Sequence, residues 1–271
     1  MTRSSLRLGG LTPHDRHFLP LFAGTMLIAW AALGVWDLSP YARYLEHDWT
    51  RLGLAAGLCT AVPAGELLVP TMLYAGGWML MTAAMMLPTT LPLATMFRRM
   101  TMGRPDGGSL MAFLFGGYLL VWFGFGVAAH LLGMVVLGMA RASLWLAFNG
   151  WAVGFVILLA AGLFQFSPLK YRCLDGCRSP LAFVLARWAG RRPRFESLRI
   201  GFAHGLSCVG CCWLLMLLMF VVGTGSLGWM LALGALMALE KNSRWGRRLA
   251  APIGVALLVA AAGVAATGAG H

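Results

Sequence analysis

The sequence predicts an all-α protein: a polytopic membrane helical bundle of about seven transmembrane helices, N-terminus inside and C-terminus outside. Three observations predict it. Of 271 residues, 59% are hydrophobic and only 11% charged, against roughly 25% charged in a typical soluble domain. Apolar runs long enough to cross a bilayer, about 20 residues each, recur along the chain. The basic residues gather on alternate connections between those runs. A mean hydropathy of +0.76 agrees. A cytosolic enzyme, a disordered chain and a small disulfide-stapled domain are excluded.

Seven segments satisfy the length requirement or approach it: residues 18–37, 72–96, 110–139, 144–166, 200–222, 227–239 and 249–267. The first is expected to be retained, because a fairly polar stretch precedes its long apolar run and no clean small-x-small cleavage site follows. Residues 54–70 are apolar but interrupted by Pro63, Glu66 and Pro70. They read as an interfacial or re-entrant piece. The sixth segment is short, and reads as tilted, shallow or paired with the fifth as a hairpin. The expected domain plan is a cytoplasmic tail, residues 1–17, followed by one transmembrane bundle, residues 18–271. A basic cytoplasmic loop, residues 167–199, carries a cysteine pair.

The net charge of +12 follows from this plan. With seven spans, 18 of the 21 Lys and Arg fall on one side, and only Arg43, Arg51 and Arg141 on the other. The positive-inside rule makes the basic side cytoplasmic. The charge is then an orientation signal and an anionic-lipid contact. No nucleic-acid partner is expected, and no Walker-type phosphate loop is present.

Chemistry concentrates in the fifth segment, which contains His204, Cys208, Cys211 and Cys212. At 100° per residue these four side chains share an arc of roughly 100°, and Leu215 and Met219 continue the stripe. One imidazole and three thiols facing one way suit a soft metal: cuprous ion, with zinc as the alternative. Polar side chains in a bilayer rarely face lipid, so the stripe is expected to face the bundle interior. A second pair, Cys173 and Cys177, lies on the basic loop. Its spacing suits a helical turn or a tight loop, and its cysteines read as exposed. Methionine is the third signal. Met85 and Met86 precede Pro88 in segment two, and Pro88 is expected to kink the helix and free a carbonyl. Met72, Met79 and Met86 repeat every seven residues and read as one face. His130 reads as a hydrogen-bonded core residue. Glu240, beside Lys241, reads as a snorkelling interfacial ion pair or as a hard ligand near the cysteines.

Three motifs together carry a resemblance. They are Ala84-Met85-Met86-Leu87-Pro88-Thr89, then Cys173-x3-Cys177-Arg-Ser-Pro180, then His204-Gly-x2-Cys208-x2-Cys211-Cys212-Trp213, with Met216 and Met219 following. The chain resembles, over roughly residues 70–245, a bacterial family of predicted metal-binding integral membrane proteins. That family includes the copper-chaperone-like membrane protein encoded beside a bacterial tyrosinase. The resemblance implies a non-enzymatic, multi-pass protein of the bacterial inner membrane, contacting membrane lipid. It implies copper delivery to a cuproenzyme such as a tyrosinase or laccase. The implied metal ligands are Met85, Met86, Cys173, Cys177, His204, Cys208, Cys211 and Cys212. Two alternatives stand beside it: a membrane thiol–disulfide oxidoreductase, since Cys208-x2-Cys211 has redox spacing, and a secondary metal-ion transporter.

Overall fold

The computed structural model describes residues 15–39, 68–222 and 226–268. Eleven helices occur among them, and no strand. In chain order they are α1 (Asp15–Asp37), α2 (Leu68–Met100), α3 (Gly107–Ala142), α4 (Leu144–Phe148), α5 (Trp151–Phe164), α6 (Pro168–Arg178), α7 (Pro180–Leu185), α8 (Pro193–Leu217), α9 (Met219–Val222), α10 (Leu227–Asn242) and α11 (Gly246–Gly268).

Among the described residues, five helical stretches are long and apolar enough to cross a membrane: Pro20–Asp37, Tyr74–Met100, Gly107–Val136, Pro193–Val221 and Gly246–Gly268. They correspond to the expected segments one, two, three, five and seven. Segment four is not one straight span. A short α4 precedes α5, and α5 bends by 65° into α6. Counting that bent pair as one span gives six. Segment six is α10, whose 16 residues fall short of a span by the same measure. The expectations for most of the N-terminal tail and of the 54–70 piece lie outside the described residues.

The bend has a local cause. Ser167 caps α6, its hydroxyl accepting from Lys170 N at 3.1 Å, and Pro168 follows at the first turn. A capping Ser followed by Pro starts a new helix rather than continuing the old one. The basic stretch expected as a loop is therefore largely helical: α6, α7 and the start of α8. Pro193 likewise stands in the first turn of α8, without a side-chain cap. Glu196, in its first turn, accepts the backbone N–H groups of Ala189, Gly190, Arg191 and Arg192 at 2.7–3.1 Å. Gly190, at φ 74°, makes the turn that gathers those donors.

Helix α2 runs through Pro88 and Pro92 without ending. Neighbouring hydroxyls bond the nearby backbone: Thr89 donates to Met86 O, Thr90 to Leu87 O and Thr95 to Leu91 O, at 2.7–2.9 Å. The seven-residue methionine repeat passes from exposed Met72 through half-buried Met79 to buried Met86. Met72 is exposed, while Met81, Met85 and Met86 are buried with Tyr74 and Trp78. Met72 stands near the start of α2, beyond the packed part of the bundle.

Helix α8 is the central element, and α3 packs along it. The crossing is close because glycine lines it on both sides. A Cβ on Gly117 would stand 2.8 Å from Phe202 N; one on Gly205, 2.9 Å from Val121 Cβ; and one on Gly201 would strike the Leu114 backbone. Small residues at such spacing let membrane helices approach backbone to backbone. Replacing Gly201 with Val is expected to cost about 1–3 kcal/mol through overpacking. Gly116→Val, at a neighbouring position that meets nothing within 4 Å, is expected to cost less. Thermal unfolding of both variants in detergent checks the contrast.

Candidate functional site

The buried side of α8 carries Ser197, Ile200, Gly201, His204, Gly205, Cys208, Cys211, Cys212 and Leu215. The expected stripe therefore faces the interior, and Met219 is buried as well. Its cysteines meet α6. The Cys177 thiol lies beside both Cys208 and Cys211. Cys212 lies beside the same pair. Cys211 and Cys212 also donate back to Cys208 O, at 3.1 and 2.9 Å. Four buried sulfurs, from Cys177, Cys208, Cys211 and Cys212, thus converge between two helices. Cys173 lies one turn earlier on α6 and is half-buried. Gly210 makes room for it, since a Cβ there would stand 2.6 Å from Cys173 Sγ. The pair expected to be exposed on a loop is thus on a helix, with Cys177 inside; the apolar face of α6 packs on α8. The five described cysteines are all free thiols.

Two further helices complete the surround. From α3, the Tyr118 hydroxyl lies 3.2 Å from Cys208 Sγ and donates to Met86 O at 3.4 Å. From α2, Met86 joins the cluster through its thioether. Met85 turns elsewhere, its Cβ 3.5 Å from the place a side chain would begin on Gly234 of α10. His204 is buried between the Tyr118 and Phe183 rings, at centroid distances of 5.9 and 5.7 Å. His130 packs on Tyr74 at 4.5 Å. It stands twelve residues beyond Tyr118 on α3, about 18 Å along the axis, and takes no part in the cluster.

Lys241 was counted among the loop charges by sequence, yet it enters this site. It ends α10 fully inside the protein, with Nζ 2.9 Å from Cys208 Sγ, 3.6 Å from Cys212 Sγ and 3.8 Å from Met86 Sδ. Glu240 does not pair with it at an interface. Glu240 is buried, and both its carboxylate oxygens accept from Lys170 Nζ, at 2.8 and 2.9 Å. Lys170, itself fully buried, also donates to Gln165. Arg178 donates to Glu240 O at 2.7 Å, and Asp175 pairs with Arg247 at 2.8 Å. Three polar links therefore clamp α6 to α10 and α11.

Sequence reasoning missed Lys170, Lys241 and Tyr118. The available signal was Glu240. A carboxylate in an apolar helix needs a buried cation, and a lysine in the neighbouring basic segment meets that need.

The donor set is sulfur-rich and suits a soft cation. Among the described residues, no group of three or more His, Cys, Asp or Glu is arranged to hold a metal ion. The ammonium of Lys241 instead lies against the sulfurs.

Residues 75–264 match the model of the PpoB2 family, described as a copper chaperone. No curated protein and no solved structure matches the chain.

The buried ion pair generates a stability prediction. Lys170→Met and Glu240→Met are each expected to cost about 3–5 kcal/mol, because each strands a buried partner. The double replacement Lys170→Met with Glu240→Met is expected to cost much less than the two single losses added together. A double-mutant cycle on unfolding in detergent measures the coupling.

Proposed function

Since the chain belongs to the PpoB2 copper-chaperone family, we propose that it is a non-enzymatic, multi-pass membrane protein that holds cuprous ion on buried sulfur and passes it to a copper-requiring enzyme. The convergence of Cys177 from α6 with Cys208, Cys211 and Cys212 from α8 carries this reading. Thiolate and thioether donors select cuprous ion, and Met86 adds the thioether. A soft, low-polarity nest excludes water and hard cations alike. Zinc is the alternative cargo, taken by the thiolates and His204 without help from Met86.

The residues divide by depth. Cys173 is half-buried on the outer turn of α6 and serves as the first thiol an incoming ion meets. Cys177, Cys208, Cys211, Cys212 and Met86 form the holding site. His204 closes one side, within electrostatic reach of Cys208 and Cys211. Met85 lines the α2–α10 contact and supports the site from behind.

With the bent α5–α6 pair and the short α10 each taken as a crossing, seven in all, the charge distribution supports an orientation with the N-terminus and the basic helices inside and the C-terminus outside. The nest then lies toward the cytoplasm of the bacterial inner membrane, where thiols stay reduced and membrane lipid surrounds the bundle. The recipient is a cuproenzyme such as a tyrosinase or laccase. No ATP-driven step is needed, because ligand exchange between sulfur sites runs down a gradient of affinity.

The measurement is copper content after purification in detergent under reducing conditions. The wild type is expected to retain cuprous ion, and Cys208→Ser with Cys211→Ser to retain at most about a tenth as much. Equal copper in both sinks the proposal. A Cys208–Cys211 disulfide trapped in intact cells would support the oxidoreductase instead. For orientation, a protease-cleavable tag after His271 is expected to be cut from outside intact spheroplasts.

A further inference from the structure

The holding site contains a positive charge of its own. Lys241 Nζ stands 2.9 Å from Cys208 Sγ, with Cys212 Sγ at 3.6 Å and Met86 Sδ at 3.8 Å. These are three of the sulfurs that a bound soft cation would use. A metal–sulfur bond is about 2.3 Å long. A metal ion bonded to Cys208 and to either other sulfur would therefore occupy the space of the ammonium or touch it. Two cations so close, in a dry interior, repel strongly.

The other lysine nearby does not share this position. Lys170 is committed to Glu240 and Gln165, which also keeps the Glu240 carboxylate occupied. Lys241 has no carboxylate among its hydrogen-bond acceptors, which are all sulfur. It is held by soft acceptors alone, and it has somewhere else to go. It sits in the last turn of α10, next to the exposed Asn242. The negative pole of a helix C-terminus attracts a cation, as Arg178 already shows by donating to Glu240 O, and the four-carbon lysine stem is flexible.

We propose that Lys241 is a resident cation that competes with the metal for the sulfur nest. The ammonium occupies the nest in the metal-free protein and swings to the end of α10 when a soft monovalent cation enters. It returns when that cation leaves. The charge stays on the lysine throughout. Its role is to keep the thiols partnered while the site is free and to weaken metal binding enough for release. This rests on the proposed copper-holding role and adds how the site lets go.

The test compares cuprous affinity in the wild type, Lys241→Leu, Lys241→Gln and Lys241→Arg, all full-length in detergent. Bicinchoninate serves as the competing chelator, and silver(I) as a second probe free of redox chemistry. Both neutral variants are expected to bind on the order of 10- to 100-fold more tightly than the wild type, since a repulsion of a few kcal/mol is removed. They should also surrender the ion to chelator correspondingly more slowly. The Arg variant, which keeps the charge, should stay near wild type. Lys241→Gln keeps a hydrogen-bond donor toward Cys208, and so remains usable where Lys241→Leu fails to fold. Tighter binding is not what structural damage produces. Equal or weaker binding in the neutral variants overturns the competition while leaving the copper site standing. Absence of binding in every form overturns both readings.

Discussion

The buried ion pair between Lys170 and Glu240 is the constraint on which the site depends. Both side chains are almost wholly removed from solvent. Neither charge is tolerable there without the other. Their pairing fixes α6 against α10, and that one contact has two consequences. It turns the buried face of α6, which carries Lys170, Leu174 and Cys177, toward the bundle, so that Cys177 meets the cysteines of α8. It also sets the last turn of α10 so that the next residue, Lys241, enters the sulfur cluster. Arg178 and Asp175 reinforce the same junction from its rim.

Around that junction the bundle does two different jobs. Close glycine-lined packing between α3 and α8 supplies rigidity through van der Waals contact, which is what holds helices together in lipid. It also brings Tyr118 to Cys208. On the other side of α8, contact with α6 is softer and more polar, with Gly210 leaving space for Cys173. The sulfur cluster is thus mounted on a stiff helix. Its more accessible wall is a short helix, set off from α5 by a capped, proline-started turn.

Much of the site was legible in the sequence. The stripe of His204, Cys208, Cys211 and Cys212 follows from helical periodicity, and its inward direction from the cost of polar groups facing lipid. All four residues are buried as that reasoning requires. The family was legible too, through three short motifs from three helices. The segments at 18–37, 72–96, 110–139, 200–222 and 249–267 were legible because long apolar runs have few other fates. The fourth was not: its apolar content is sufficient, but Ser167 and Pro168 restart the helix. The sixth was legible as a short segment, and α10 has 16 residues.

The sequence by itself determined the helical membrane class, the family and the set of soft side chains. Those depend on composition and on spacing within single helices, which are local properties. Only the tertiary structure decided which lysine is a loop charge and which is part of the site. Lys170 and Lys241 look like any other member of the basic segments, because a charge count carries no information about depth. Their burial is settled by partners about 70 and 33 residues away in the chain, Glu240 for one and Cys208 for the other. Pairing across such distances follows from how α6, α8 and α10 pack, and no local pattern encodes it.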